Sequence, residues 1–160
     1  MSDTFMPLTY APSAKLSIVN LDKSTKFEQI DAQYNPKELS IDKSTKWEEG
    51  KDAKANVKAL TFKSGSNKIM SFELFFDGFE EGKDVREKVS ELMALTEINE
   101  KAGNQEDKHP PRVMVIFGPG NDGWIRGVVE SLGVKYTMFN EKGVPVRANC
   151  SIKIKEVPAS

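Results

Sequence analysis

The amino-acid sequence predicts a mainly β fold with one packed α-helix, an α+β arrangement in which antiparallel strands build a barrel or sandwich. Three observations carry this. Residues 68–79 and 146–155 alternate apolar and polar side chains with a period of two. A single segment, beginning near residue 84, has an apolar stripe at helical spacing. Strand and helix signals do not alternate along the chain, which argues against the parallel sheet of a dinucleotide-binding fold.

Taken in order, residues 1–13 read as an N-terminal arm, because Pro7 and Pro12 break any regular pattern. Residues 14–157 read as one domain. Residues 14–21 form a strand around Leu16 and Ile18, and residues 27–34 a second, with Ile30, Ala32 and Tyr34 on one face. Asn35-Pro36 marks a turn. Residues 39–47 start as a strand through Leu39 and Ile41 and then become polar. Residues 48–58 are charged and nearly free of apolar side chains, so they read as a long mobile loop, a kind of segment that often carries function. Residues 59–63 form a short strand. Residues 68–79 give the strongest strand signal: Met70, Phe72, Leu74 and Phe76 share one face, Ser71, Glu73 and Asp77 the other, with Phe75 as the exception.

Residues 84–102 read as the helix. Asp84 is placed to cap it with Glu87 three residues on, and Val85, Val89, Leu92 and Met93 form a stripe that Leu95 and Ile98 widen before Gly103 ends it. Residues 104–111 form a polar linker. Residues 112–117 are a short buried strand. Residues 124–139 are a long strand with Val128, Leu132, Val134, Tyr136 and Met138 on one face, and Gly127 and Gly133 suit bends or bulges. Asn140-Glu141-Lys142-Gly143 makes a hairpin turn, with Gly143 supplying positive φ. Val146, Ala148, Cys150, Ile152 and Ile154 then line the apolar face of the last strand.

Composition limits the function classes. The 160 residues fit one domain, and 23 basic against 24 acidic side chains leave no net positive charge for a nucleic-acid or polyanion binder. The basic residues are mostly lysine; Arg86, Arg112, Arg126 and Arg147 are the arginines. A single cysteine, Cys150, excludes an internal disulfide and fits folding in a reducing cytosol. Residues 1–12 lack the basic-then-apolar pattern of a secretory signal, and no apolar run is long enough to span a bilayer, so direct membrane insertion is not expected.

No catalytic set survives inspection. Residues 118–123 match G-x-G-x-x-G, but a dinucleotide site needs a helix to start there, and Trp124-Ile125-Arg126 reads as a strand; a glycine-rich turn is the better account. His109, the only histidine, lies in the polar linker and reads as solvent-exposed. One cysteine and one histidine cannot complete a typical zinc site, and no cofactor is implied. Cys150 reads as a buried small hydrophobe, and Asp77, Glu80 and Glu81 as a solvated turn. Arg126 and Glu130 fall on the face of Val128 and Leu132 if no bulge intervenes, which predicts an internal ion pair or an inter-subunit contact. The polar faces of the strands allow two readings, an ordinary solvated sheet or a sheet that joins its neighbours in a ring around a lumen.

Several segments together resemble the contractile injection system tube protein family. They are QYNPKELS at 33–40, KWEE at 46–49, SFELFFD at 71–77, DVR at 84–86, PPRV at 110–113, RGVVESL at 126–132, KYTMF at 135–139 and GVPVRA at 143–148. They occur in the family's order and span most of residues 14–156. The resemblance implies an antiparallel β-barrel or sandwich of the phage tail-tube type. It also implies a non-catalytic structural subunit that forms hexameric rings with itself and meets neighbouring tube, spike or baseplate proteins. Such a subunit is made in the cytoplasm and built into a phage-tail-like particle. Many members carry a C-terminal LysM domain; none follows here, so peptidoglycan binding is not carried over and the position along the tube stays open. Tail-tube folds use a long loop to contact the adjacent ring, which implies ring-stacking roles for Lys51, Asp52, Lys54 and Lys58. The alternative from the residues alone is a monomeric small β-barrel holding an apolar ligand, which requires a closed barrel with an apolar cavity.

Overall fold

A computed structural model describes residues 14–22, 28–50, 59–65, 67–98, 108–119 and 123–158. Its strands are β1 (Ser17–Asn20), β2 (Gln29–Asp31), β3 (Ser40–Asp42), β4 (Thr45–Glu49), β5 (Leu60–Gly65), β6 (Ile69–Asp77), β7 (Val113–Ile116), β8 (Ile125–Phe139) and β9 (Pro145–Glu156), with one helix, α1 (Arg86–Ala94). Among the described residues seven strands form one sheet in the order β2-β1-β7-β8-β9-β6-β3, and β4 pairs with β5 alone. Every recorded pairing is antiparallel.

Period-two alternation explains the sheet's centre. Met70, Phe72, Leu74 and Phe76 of β6 are buried opposite Ile154, Ile152, Cys150 and Ala148 of β9. A buried Leu, Ile or Phe of this kind contributes about 1.5–3 kcal/mol. Leu16, Ile18, Ile30, Val113 and Val115, from the far end of the sheet, join the same core cluster, and Val85, Val89, Leu92 and Leu95 cover it from α1. One core shared by both ends of a sheet requires that sheet to curl. Among the described residues it does not close: β2 and β3 stay at opposite edges, so of the expected barrel or sandwich the chain shows a curled, sandwich-like sheet.

Side chains from the 33–40 segment span the gap. The Gln33 side-chain amide donates to Asp77 O (2.8 Å), and its carbonyl oxygen accepts the Asp77 N–H (2.9 Å). Asn35 accepts the Leu16 N–H (2.9 Å) and donates to Ala14 O (2.8 Å), so it serves the start of β1 as a neighbouring strand would. Asn35→Ala should therefore cost about 1–3 kcal/mol, since it leaves a partly buried backbone N–H without its acceptor; urea denaturation checks this.

The helix is shorter than its sequence stripe. It ends at Ala94, where Leu95 N–H turns back to Leu92 O (3.0 Å) and the Thr96 hydroxyl donates to Met93 O (2.7 Å). Thr96 thus offers the chain a non-helical alternative at that carbonyl. Met93 and Ile98 are exposed, so the buried stripe stops with Leu95. The expected capping box does not form. Val85 occupies the cap position, and Asp84 accepts Arg86 N–H (2.9 Å) and pairs with the Arg86 guanidinium (2.6 Å). Residues 99–103 of the predicted helix end lie outside the described residues.

Candidate functional site

The β6-β9-β8 ribbon is the most extensive part of the sheet, and its outward face is polar. Cross-strand rows run Ser71–Lys153–Ser131, Glu73–Ser151–Gly133 and Phe75–Asn149–Lys135. The 34–40 segment rises beside this face and makes it concave, enclosing a groove of about 1130 Å³ with Tyr34 and Pro36 on one wall and Ser131 and Gly133 on the other. Tyr34 is held there by stacking on Phe75, with ring centroids 5.8 Å apart. This accounts for the Phe75 exception: the ring packs on the outer face.

The ribbon leaves two backbone edges open. β7 pairs with β8 only through Ile125–Gly127 positions 125–127, so residues 128–139 have no ladder on that side among the described residues. Among the described residues β3 pairs with β6 only at residues 69–71, residues 72–77 have no strand there, and the Gln33 side chain reaches only Asp77. Three register shifts interrupt β8 against β9. Such bulges on an edge strand restrict what can pair with it.

The first shift redirects a predicted pair. Val129 pairs with Ile154 and Ser131 with Lys153, which leaves Glu130 as the extra residue of a bulge. Ile125, Gly127 and Val129 are buried before it, whereas Arg126 and Glu130 are exposed. They form no ion pair with each other in the chain, because neither is a core-facing charge that needs one. Lys51, Asp52, Lys54 and Lys58 lie outside the described residues, between β4 and β5.

The β4–β5 hairpin carries a feature missed in the sequence. Trp47 pairs with Phe62 and Glu49 with Leu60, which puts Trp47, Phe62 and Leu60 on one face. Trp47 and Phe62 meet edge-on at 5.5 Å, yet both are more than half exposed (54% and 55%). Two strands alone are marginally stable, and this pair has no apolar cover within the described residues.

The remaining candidates have local roles. Asp77 accepts Phe79 N–H (2.9 Å), and Arg147 lies 3.3 Å from its carboxylate and 5.3 Å from the Phe79 ring centroid. Hydrogen bonding from Phe79 and charge from Arg147 hold the Asp77 pKa below its usual 3.8. Cys150 is fully buried, and burial pushes its thiol up to about 11, which suppresses the reactive thiolate. Gly118 and Gly123 have positive φ, and β8, not a helix, follows Gly123, so the helix N-terminus that a dinucleotide loop needs does not follow the motif; residues 120–122 lie outside the described residues.

His109 is less isolated than its linker position suggests. Its Nδ1 lies 4.0 Å from Asp22, whose carboxylate is gripped by Arg112 through the guanidinium (3.0 Å) and the backbone N–H (2.8 Å). Burial raises the Asp22 pKa, but Arg112, with a smaller contribution from His109, outweighs it and leaves the value below 3.8. A depressed carboxylate pKa stabilises the fold above the unfolded value and loses that contribution as pH falls through the folded value. Stability should therefore hold from neutrality to roughly pH 4 and fall below it. Asp22→Asn should flatten that acid limb relative to the parent chain in denaturation curves taken at each pH.

Among the described residues no cluster of three metal-ligating side chains occurs, and no helix is long and apolar enough to cross a membrane. A comparison with curated proteins finds no match. A family model described as contractile injection system tube protein matches residues 13–160. With that match covering nearly the whole chain, and the quoted motifs falling on β6, β8, β9 and the 33–40 clasp, the chain belongs to the contractile injection system tube protein family.

Proposed function

We propose that this chain is a non-catalytic structural subunit of the inner tube, or of the tube–baseplate junction as initiator or adaptor, and that it closes into a homo-hexameric ring. The observation that carries the reading is the β6-β9-β8 ribbon, with one open edge on each side and a concave polar face between them. Pairing residues 72–77 of one copy with part of residues 128–139 of the next would cover the shorter edge and about half of the longer one. Repetition around a ring would turn the polar faces inward to line a water-filled conduit. Six copies is the number the family resemblance implies. Heterologous contacts of this kind close only at a fixed rotation, so one subunit geometry gives one ring size.

Neighbouring tube, spike or baseplate proteins would then meet the ring's ends, after synthesis in the cytoplasm. Lys51, Asp52, Lys54 and Lys58 are assigned to ring stacking, and Arg126 with Glu130 to contacts between copies. The exposed Trp47–Phe62 face supports this, since assembly would cover it. Deleting residues 50–57 should leave the sheet folded by circular dichroism and abolish particle assembly. Intact particles of normal length from that variant would sink the stacking role.

A further inference from the structure

We infer that copies of this chain join through a parallel seam in one register, with Glu73, Phe75 and Asp77 of one copy opposite Ser131, Gly133 and Lys135 of the next. The inference rests on the reading that the ribbons close into a ring. β6 and β8 are both antiparallel to β9, so they run the same way. Rotation about a ring axis preserves strand direction, so β8 of one copy meets β6 of the next in parallel.

Backbone direction fixes which groups are free to pair. The Asp77 N–H and C=O both meet the Gln33 side chain, on the side away from β9, and these groups alternate in direction along a strand. Glu73 and Phe75 therefore turn theirs to the open edge. Gly78 N–H instead donates to Val146 O of β9 (2.8 Å), so even-numbered β9 positions face β6 and odd-numbered ones face β8. Ser131, Gly133 and Lys135 lie opposite Lys153, Ser151 and Asn149, which leaves the backbone groups of Leu132 and Val134 at the β8 edge. In the stated register Phe75 N–H donates to Leu132 O, and Phe75 O accepts Val134 N–H. A parallel ladder needs this arrangement, in which each residue facing the seam lies opposite one facing away.

The lengths of the two edges and their side chains select the register. Among the described residues β3 covers β6 as far as Ser71 and Gln33 takes Asp77, so residues 72–76 are open between them. Residues 131–136 keep one register against β9, between the shift at Glu130 and the one after Tyr136. Glu130 falls opposite Phe72, where its bulge bends β8 away from β3. On the outer face the exposed Lys135 meets Asp77, which Arg147 already pairs, and the Phe75 ring lies beside Gly133. A β-carbon at Gly133 would have only Ser151 Cβ near it, so there is room for that ring. On the inner face Leu74 and Phe76 continue the row of Leu132 and Val134, which pack against the core. A two-residue slip sets Phe75 against Lys135 in one direction and Leu74 against the Glu130 bulge in the other.

The test places cysteine pairs in the full chain within the assembled particle: Glu73→Cys with Ser131→Cys, and Glu73→Cys with Lys135→Cys. Within one copy either pair spans two strand spacings, about 10 Å, too far for a disulfide. Cys150 is fully buried and takes no part. After oxidation the first pair should give a ladder of linked copies on a non-reducing gel, and the second should stay unlinked. Lys135→Glu should weaken ring closure roughly fivefold or more by sedimentation, and Lys153→Glu, in the middle of the ribbon, should not. Linking through the 73–135 pair, linking through neither pair, or equal loss in the two charge variants would overturn the inference. If imaging still shows rings in those cases, the ring reading stands and the seam alone fails. A single copy per particle defeats the ring reading, and the seam with it.

Discussion

Gly127→Ala should destabilise the folded chain by about 2–4 kcal/mol, more than any other single methyl addition considered for the sheet. A β-carbon at residue 127 would lie 2.0 Å from Lys155 O, 2.6 Å from Lys155 C and 3.1 Å from Glu156 Cα. All three are backbone atoms, so no side chain can swing away. Gly127 is also where three strands register together, opposite Val113 of β7 and Glu156 of β9. Relief would mean parting β8 from β9 at the point where the curled sheet turns from ribbon to edge. Gly133→Ala is the control. Its β-carbon would meet only Ser151 Cβ at 3.9 Å, an ordinary contact. Alanine there should be neutral or stabilising by roughly 0.5 kcal/mol, since glycine in a strand costs backbone entropy. Denaturant titration of both variants measures the contrast, and equal midpoints would contradict the close approach at Gly127.

The second large effect is on assembly. Successive N–H groups along a strand point to opposite sides, so of Val134 and Lys135 one donates toward β9 and the other toward the open edge of β8. Proline has no N–H and is tolerated on edge strands where that group faces solvent. Val134→Pro and Lys135→Pro should therefore give opposite phenotypes. The inward variant breaks the β8–β9 ladder and loses roughly 3 kcal/mol of stability. The outward variant stays folded as a monomer and fails to form rings. Circular dichroism with sedimentation separates the two. Two folded variants that both assemble would mean the β8 edge takes no part in the ring.

Both effects depend on relations between strands, which marks the boundary of what the sequence shows. β6 and β9 were legible because each is half-buried and alternates on its own: Met70 to Phe76 and Val146 to Ile154 need no knowledge of a partner. The turn at residues 140–143 was legible for a similar reason, since Gly143 takes positive φ and Asn140 accepts the N–H groups of Lys142 and Val144 locally. The bulge at Glu130 was not legible, because a bulge is a count of one strand against another. Simple alternation therefore put Arg126 and Glu130 on the core face, where the structure leaves both exposed.

The hairpin face was hidden by the same kind of distance. Trp47 and Phe62 are separated by a charged segment, and only the pairing of β4 with β5 brings them together. Asp22 and Arg112 are 90 positions apart, so neither the linker histidine nor the aspartate advertised their cluster. Gln33 and Asn35 sit in the motif that carried the family resemblance, but their work as a clasp depends on the far strands they reach.

Cryo-electron microscopy of the particle that contains this chain tests the central claim most directly. The account predicts a six-copy ring in which part of residues 128–139 of each copy hydrogen-bonds to residues 72–77 of the next, with Lys135 and Lys153 facing the lumen. A ring whose copies meet elsewhere, with both edges left in solvent, or a single copy in the particle, would contradict it.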